Sequence, residues 1–126
     1  MTDYHLLWLF FPLAISLHNI EEAIWLPKWS QKAGRFHKPI TADEFYFAVI
    51  CVTLLAYLST VLALAFPTVA LLKLIFFGFL GTMILNIFMP HLAATILLRR
   101  YAPGLLTGVF GLIPINGIIL GQALAN

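Results

Sequence analysis

Residues 42–66 read ADEFYFAVICVTLLAYLSTVLALAF. After Glu44, the 22 positions from Phe45 to Phe66 carry no charged side chain. A membrane-crossing helix needs about 20 consecutive apolar residues, so this segment alone is long enough to span a bilayer. Thr41, followed three residues later by Glu44, has the form of a capping box that opens such a helix. Pro67 punctuates its far end.

Outward from this stretch the same pattern recurs three times. Residues 4–26 form a first span, 69–98 a third and 103–124 a fourth. Pro27 is expected to end the first span. Pro90 predicts a kink in the third, because proline lacks a backbone donor and its ring clashes one turn back. Pro114 interrupts the fourth. The chain has 126 residues, of which 62% are apolar and 10% charged, with a mean hydropathy of +0.99. Soluble domains average about 45–50% apolar and about 25% charged residues. An ordinary soluble domain and intrinsic disorder are both excluded. Four spans with short loops exhaust the length, so the expected fold is all-α, a four-helix transmembrane bundle forming one domain. Any chemistry must lie inside the bundle or at its mouths.

Charge refines this reading. A net charge of +2, thinly spread, excludes a nucleic-acid partner. The expected partners are the lipid bilayer and a lipophilic small molecule. The lone Cys51 excludes an internal disulfide and reads as a packing residue. The first apolar run lacks a basic leader and a small-residue cleavage site, so it reads as a span and not a cleaved signal. Lys28, Lys32, Arg35 and Lys38 sit between spans one and two, and Arg99 and Arg100 between spans three and four. Only Lys73 lies on the opposite side. The positive-inside rule therefore puts both basic connections in the cytoplasm and both termini outside, with the cell inner membrane as the expected location. Gly117 and Gly121, four apart, permit close helix contact within the chain or in a homo-oligomer.

The polar residues within the spans carry the functional signal. Ionisable groups there cost about 2.5–3.5 kcal/mol each on insertion scales, face the bundle interior and mark function. His18, Glu21 and Glu22 stand at i, i+3 and i+4, on one helical face. At about 1.5 Å per residue, His18 lies roughly 15 Å and His91 roughly 12 Å from the same end of the bundle. The two clusters thus meet at one level if spans one and three face each other. Asn86 and Asn116 lie roughly 20 Å in and could bond to each other. Thr95 and Thr107 support the site. Tyr46, Tyr57 and Arg100 are candidate substrate contacts. Asn19 points off the glutamate face and reads as a helix–helix hydrogen-bonding residue.

The run His18-Asn19-Ile20-Glu21-Glu22 resembles the motif of the HXXEE family, small membrane proteins of uncharacterised function. Asn86 with His91 is similar to that family's second motif. Arg100-Tyr101-Ala102-Pro103-Gly104-Leu105-Leu106-Thr107 is similar to its third. The resemblance implies a four-helix membrane protein with a shared His/Glu/Asn site, and it supplies no reaction.

Several chemistries suit the cluster. His18, Glu22 and His91 could hold Zn, Fe or Mn, with Glu21 as a fourth ligand or general base and Asn86 as an orienting partner. Without metal, paired buried carboxylates could serve acid–base chemistry on a hydrophobic substrate, with Glu21, Glu22, His18 and His91 as the catalytic set. Proton- or ion-coupled transport is the alternative from another class. A purely structural polar cluster is the plainest reading.

Overall fold

A computed structural model describes residues 3–125, and the described residues form helices and no strand. A short α1 (Asp3–Leu7) leads into α2 (Phe10–Ser30), followed by α3 (Ala42–Ala65), α4 (Ala70–Leu98) and α5 (Leu105–Ala125). The four long helices close a ring: α2 packs on α3, α3 on α4, α4 on α5 and α5 on α2. Helices α2 and α4 therefore stand on a diagonal. Three helices, α3, α4 and α5, are long and apolar enough to cross a membrane. Helix α2 has 21 residues but is less apolar, because His18, Glu21, Glu22 and Lys28 fall within it.

Local chemistry sets the helix ends and irregularities. Thr41 begins α3 with the reciprocal capping box: its hydroxyl accepts from Glu44 N–H, and the Glu44 carboxylate accepts from Thr41 N–H. Two expectations are corrected. The first helical segment breaks at Trp8–Leu9, and Pro27 does not end α2, which continues to Ser30. The Ser30 hydroxyl donates to the Pro27 carbonyl at 2.8 Å and its oxygen accepts from Ile40 N–H at 3.2 Å, tying the following loop to the helix end. Side-chain hydroxyls of this kind re-satisfy backbone near a helical proline.

Helix α4 bends at Met89, whose φ of −132° and ψ of 111° leave helical space inside a wide turn over Ile87–Leu92. Pro90 is the cause, as expected. Pro114 does not break α5. A second wide turn at Gly108–Leu112 lies just before it and absorbs the clash of its ring with the preceding carbonyls.

The interior is zoned along the bundle axis. One end holds an aromatic plug: Trp8 stacks on Phe76 at 4.8 Å, and Phe11 meets Phe76 and Phe79 edge-on. The other end holds the buried ionisable residues His18, Glu21, Glu22 and His91. Asn19 donates to Thr53 Oγ1 at 2.7 Å and joins α2 to α3, as its position predicts.

Candidate metal centre and adjoining cleft

Three side chains converge where α2 faces the bend of α4. His18 and Glu22, one turn apart on α2, meet His91 just past the proline bend. One ligating atom from each lies within 4.8 Å of the other two. Glu22 Oε1 is 3.0 Å from His91 Nε2 and 3.7 Å from His18 Nε2. All three residues are buried, His18 completely. The imidazole rings are 5.3 Å apart and perpendicular.

The outer partners orient these rings. Thr107 of α5 has one hydroxyl proton, and it goes to Glu21 Oε2 at 2.6 Å. Its oxygen is then an acceptor toward His18 Nδ1 at 3.3 Å. With the His18 proton on Nδ1, the Nε2 lone pair faces Glu22 and His91, and Nε2 has no hydrogen-bond partner. His91 Nε2 also touches the Asn86 side-chain amide at 3.2 Å. Thr95 accepts from Ala102 N–H at 3.0 Å and donates to the His91 carbonyl at 2.9 Å, strapping the α4–α5 connection over the bend.

That connection closes on the triad through Gly104. Its φ of +92° is left-handed, and a Cβ there would fall 2.8 Å from His18 Cε1, 2.9 Å from His91 Cε1 and 3.1 Å from Glu22 Cγ. Only glycine fits both the backbone angle and the space.

Glu21 belongs to a neighbouring cluster. Its carboxylate accepts from the Thr107 N–H at 3.0 Å, the Thr107 hydroxyl and the Tyr101 hydroxyl. Tyr101 in turn accepts from Leu106 N–H at 3.0 Å. Burial, with the hydrogen bond to Glu21, pushes the Tyr101 phenol up to about 12, which keeps it a donor. Glu21, Tyr101 and Thr107 form the floor of an open cleft of about 1030 Å³ between α2 and the start of α5.

The structure therefore brings His18, Glu22, His91, Asn86 and Thr107 together and holds Thr95 behind them. It turns Glu21 away from the triad, so Glu21 is not among the converging ligand atoms. Asn116 does not meet Asn86; it donates to the Leu80 carbonyl at 3.1 Å. Tyr46 and Tyr57 lie on α3 with exposed rings and line neither the triad nor the cleft. Arg100 lines the cleft. Tyr101 and Gly104 also border the candidate site; spacing arguments did not single them out, and they entered only as part of the third motif. The signal was available in the one tyrosine lying between the Arg99-Arg100 pair and Pro103-Gly104.

Comparison with known proteins now bears on the site. Residues 8–119 match the family described as a protein of unknown function with HXXEE motif. The chain belongs to the HXXEE family. Its His18, Glu21 and Glu22 are the motif's named positions, and they serve two adjacent clusters, the triad and the cleft floor. An HXXEE relative in Bacillus subtilis (strain 168), the uncharacterized protein YrkK, is 55% identical over 113 residues, covering 90% of this chain and 72% of that protein. No solved structure matches the chain.

Proposed function

We propose that this chain is an integral membrane metalloenzyme that holds one divalent transition metal, Zn, Fe or Mn, at His18, Glu22 and His91 and acts on a lipophilic substrate. The observation that carries the reading is the completely buried, unpartnered His18 Nε2 aimed at Glu22 and His91. A buried acceptor left unpaired costs about 1–3 kcal/mol, and a cation among the three atoms removes that cost. Metal–ligand bonds of about 2.0–2.1 Å in a tetrahedral site put ligand atoms about 3.3 Å apart. The Glu22 contacts of 3.0 and 3.7 Å bracket that spacing.

Two imidazoles and a carboxylate are a donor set suited to these metals. Three protein ligands leave a position open for chemistry. A metal held there would supply Lewis acidity toward a carbonyl or an activated water. The chain's own residues do the rest. Thr107 orients the His18 imidazole from its Nδ1 side. Glu21, held by Tyr101 and Thr107 at the cleft floor, is placed to accept or return a proton at the substrate. The plug of Trp8, Phe11 and Phe76 is buried and holds no ionisable group, and it weighs against the carrier reading, which needs polar stations through the bundle. Interhelical polar bonds average about 0.6 kcal/mol in membranes, too little to account for burying two imidazoles and a carboxylate as structural glue.

Elemental analysis of detergent-purified protein tests the reading. About one metal ion per chain is expected, lost in His18→Ala and His91→Ala. Wild-type protein that takes up no Zn, Fe or Mn in a saturable way overturns it.

A further inference from the structure

We infer that the cleft beside the triad is a binding site for an anionic glycerophospholipid drawn from the bilayer, with its phosphate headgroup at Lys28, Lys32 and Arg100. Three features of the cleft lead to this occupant. Its α2 wall is one helical stripe, in which Leu17, Ile20 and Ile24 are followed by Lys28 at helical spacing, with Lys32 in the turn just past the helix end. The wall is thus apolar along most of its length and cationic at one end. Arg100, from the α4–α5 connection, adds a third cation to the same cleft. Among the described residues none of these three pairs with a carboxylate. An anion from outside the chain matches them.

Size and access agree with a lipid. The cleft's volume of about 1030 Å³ is at the top of the range of about 300–1,000 Å³ usual for small-molecule pockets. The apolar residues of the stripe are exposed on the outer face of α2, so an acyl chain reaches the cleft sideways from the hydrocarbon. Trp25 and Trp29, flanking the cationic end, suit the headgroup level, where tryptophan concentrates. Lys28 and Glu21 are seven residues apart, about 10 Å along the helix. A phosphate held at Lys28 therefore lays the bonds just beyond the headgroup against Glu21 and Tyr101. As a statement of substrate class this rests on the metalloenzyme reading; as a binding site it does not need the metal.

The intrinsic tryptophans supply the test. Trp25 and Trp29 line the cleft, while Trp8 is buried in the aromatic plug as a constant background. Protein is placed in phosphatidylcholine nanodiscs containing a small fraction of brominated-chain phosphatidylglycerol or, in parallel, brominated-chain phosphatidylcholine. Quenching by the anionic lipid is expected at roughly a hundredfold lower mole fraction than by the zwitterionic one, from about 1 kcal/mol for each of the three cations. Each of Lys28→Gln, Lys32→Gln and Arg100→Gln should reduce that preference by roughly fivefold, with circular dichroism confirming unchanged helix content. The His18→Ala variant should keep the preference while losing metal, which separates the two readings. Equal quenching by both lipids overturns the assignment. So does a preference that survives the triple Gln variant, or quenching by the anionic lipid that millimolar inorganic phosphate reverses.

Discussion

Replacing Gly104 with alanine tests how tightly the connection closes on the triad. At φ +92° a side chain costs roughly 1–2 kcal/mol. The new methyl would also meet His18 Cε1 at 2.8 Å, His91 Cε1 at 2.9 Å and Glu22 Cγ at 3.1 Å. Neither ring can withdraw freely, because Thr107 holds His18 and Glu22 holds His91. Overpacking of this kind costs about 1–3 kcal/mol. The two effects sum to about 2–5 kcal/mol of lost stability. Gly117 provides the control: a Cβ there meets nothing within 4 Å, and its φ is not positive. Alanine at that position gains up to about 1 kcal/mol of helix propensity. Unfolding of detergent-solubilised protein by SDS, followed by circular dichroism, should put the Gly104→Ala midpoint well below wild type and the Gly117→Ala midpoint at or above it. Metal affinity of Gly104→Ala should fall with its stability, since the methyl displaces both imidazoles. Equal midpoints for the two variants would refute the close contact between the connection and the triad.

Three further substitutions probe other links. Thr107→Val removes the hydroxyl that faces His18 Nδ1, and metal affinity measured against a chromophoric chelator should drop roughly 10–100-fold, with Thr107→Ser restoring it. Thr41→Ala breaks the α3 capping box and should lower unfolding stability by about 1 kcal/mol while leaving metal content unchanged. Asn19→Ala removes the bond to Thr53 and should cost on the order of 0.6 kcal/mol; loss of metal in this variant would mean that Asn19 belongs to the site after all.

The sequence made the long helices legible because hydrophobic length is a one-dimensional quantity. The bend at Pro90 was legible for the same local reason. Pro27 was misjudged because its effect depends on what accepts and donates around it, and Ser30 with Ile40 lies beyond the local pattern. The depths of His18 and His91 were readable from helix rise, and the two residues do meet. Depth alone did not fix direction. Asn86 and Asn116 lie at similar depth, yet one faces His91 and the other the Leu80 carbonyl. Glu21 and Glu22 share a face by spacing, but their carboxylates diverge into separate clusters, since a helical face is broad enough to serve two neighbours. Tyr101 and Gly104 act through a connection whose path no periodicity describes.

The zoning of the interior divides labour between the two ends of the bundle. In α4 and α5 each departure from regular helix, the bend at Met89 and both wide turns, lies toward the polar end. The opposite end is regular there and locked by stacked rings. Local opening starts where backbone hydrogen bonding is weakest, so amide exchange should be fastest near the triad and slowest around Phe76 and Leu80. The molecule is in effect a clamped fork: the handle keeps the fold, and the tines are free to be retuned. A substitution at the polar end can therefore change ligand or metal preference without dismantling the bundle that carries it.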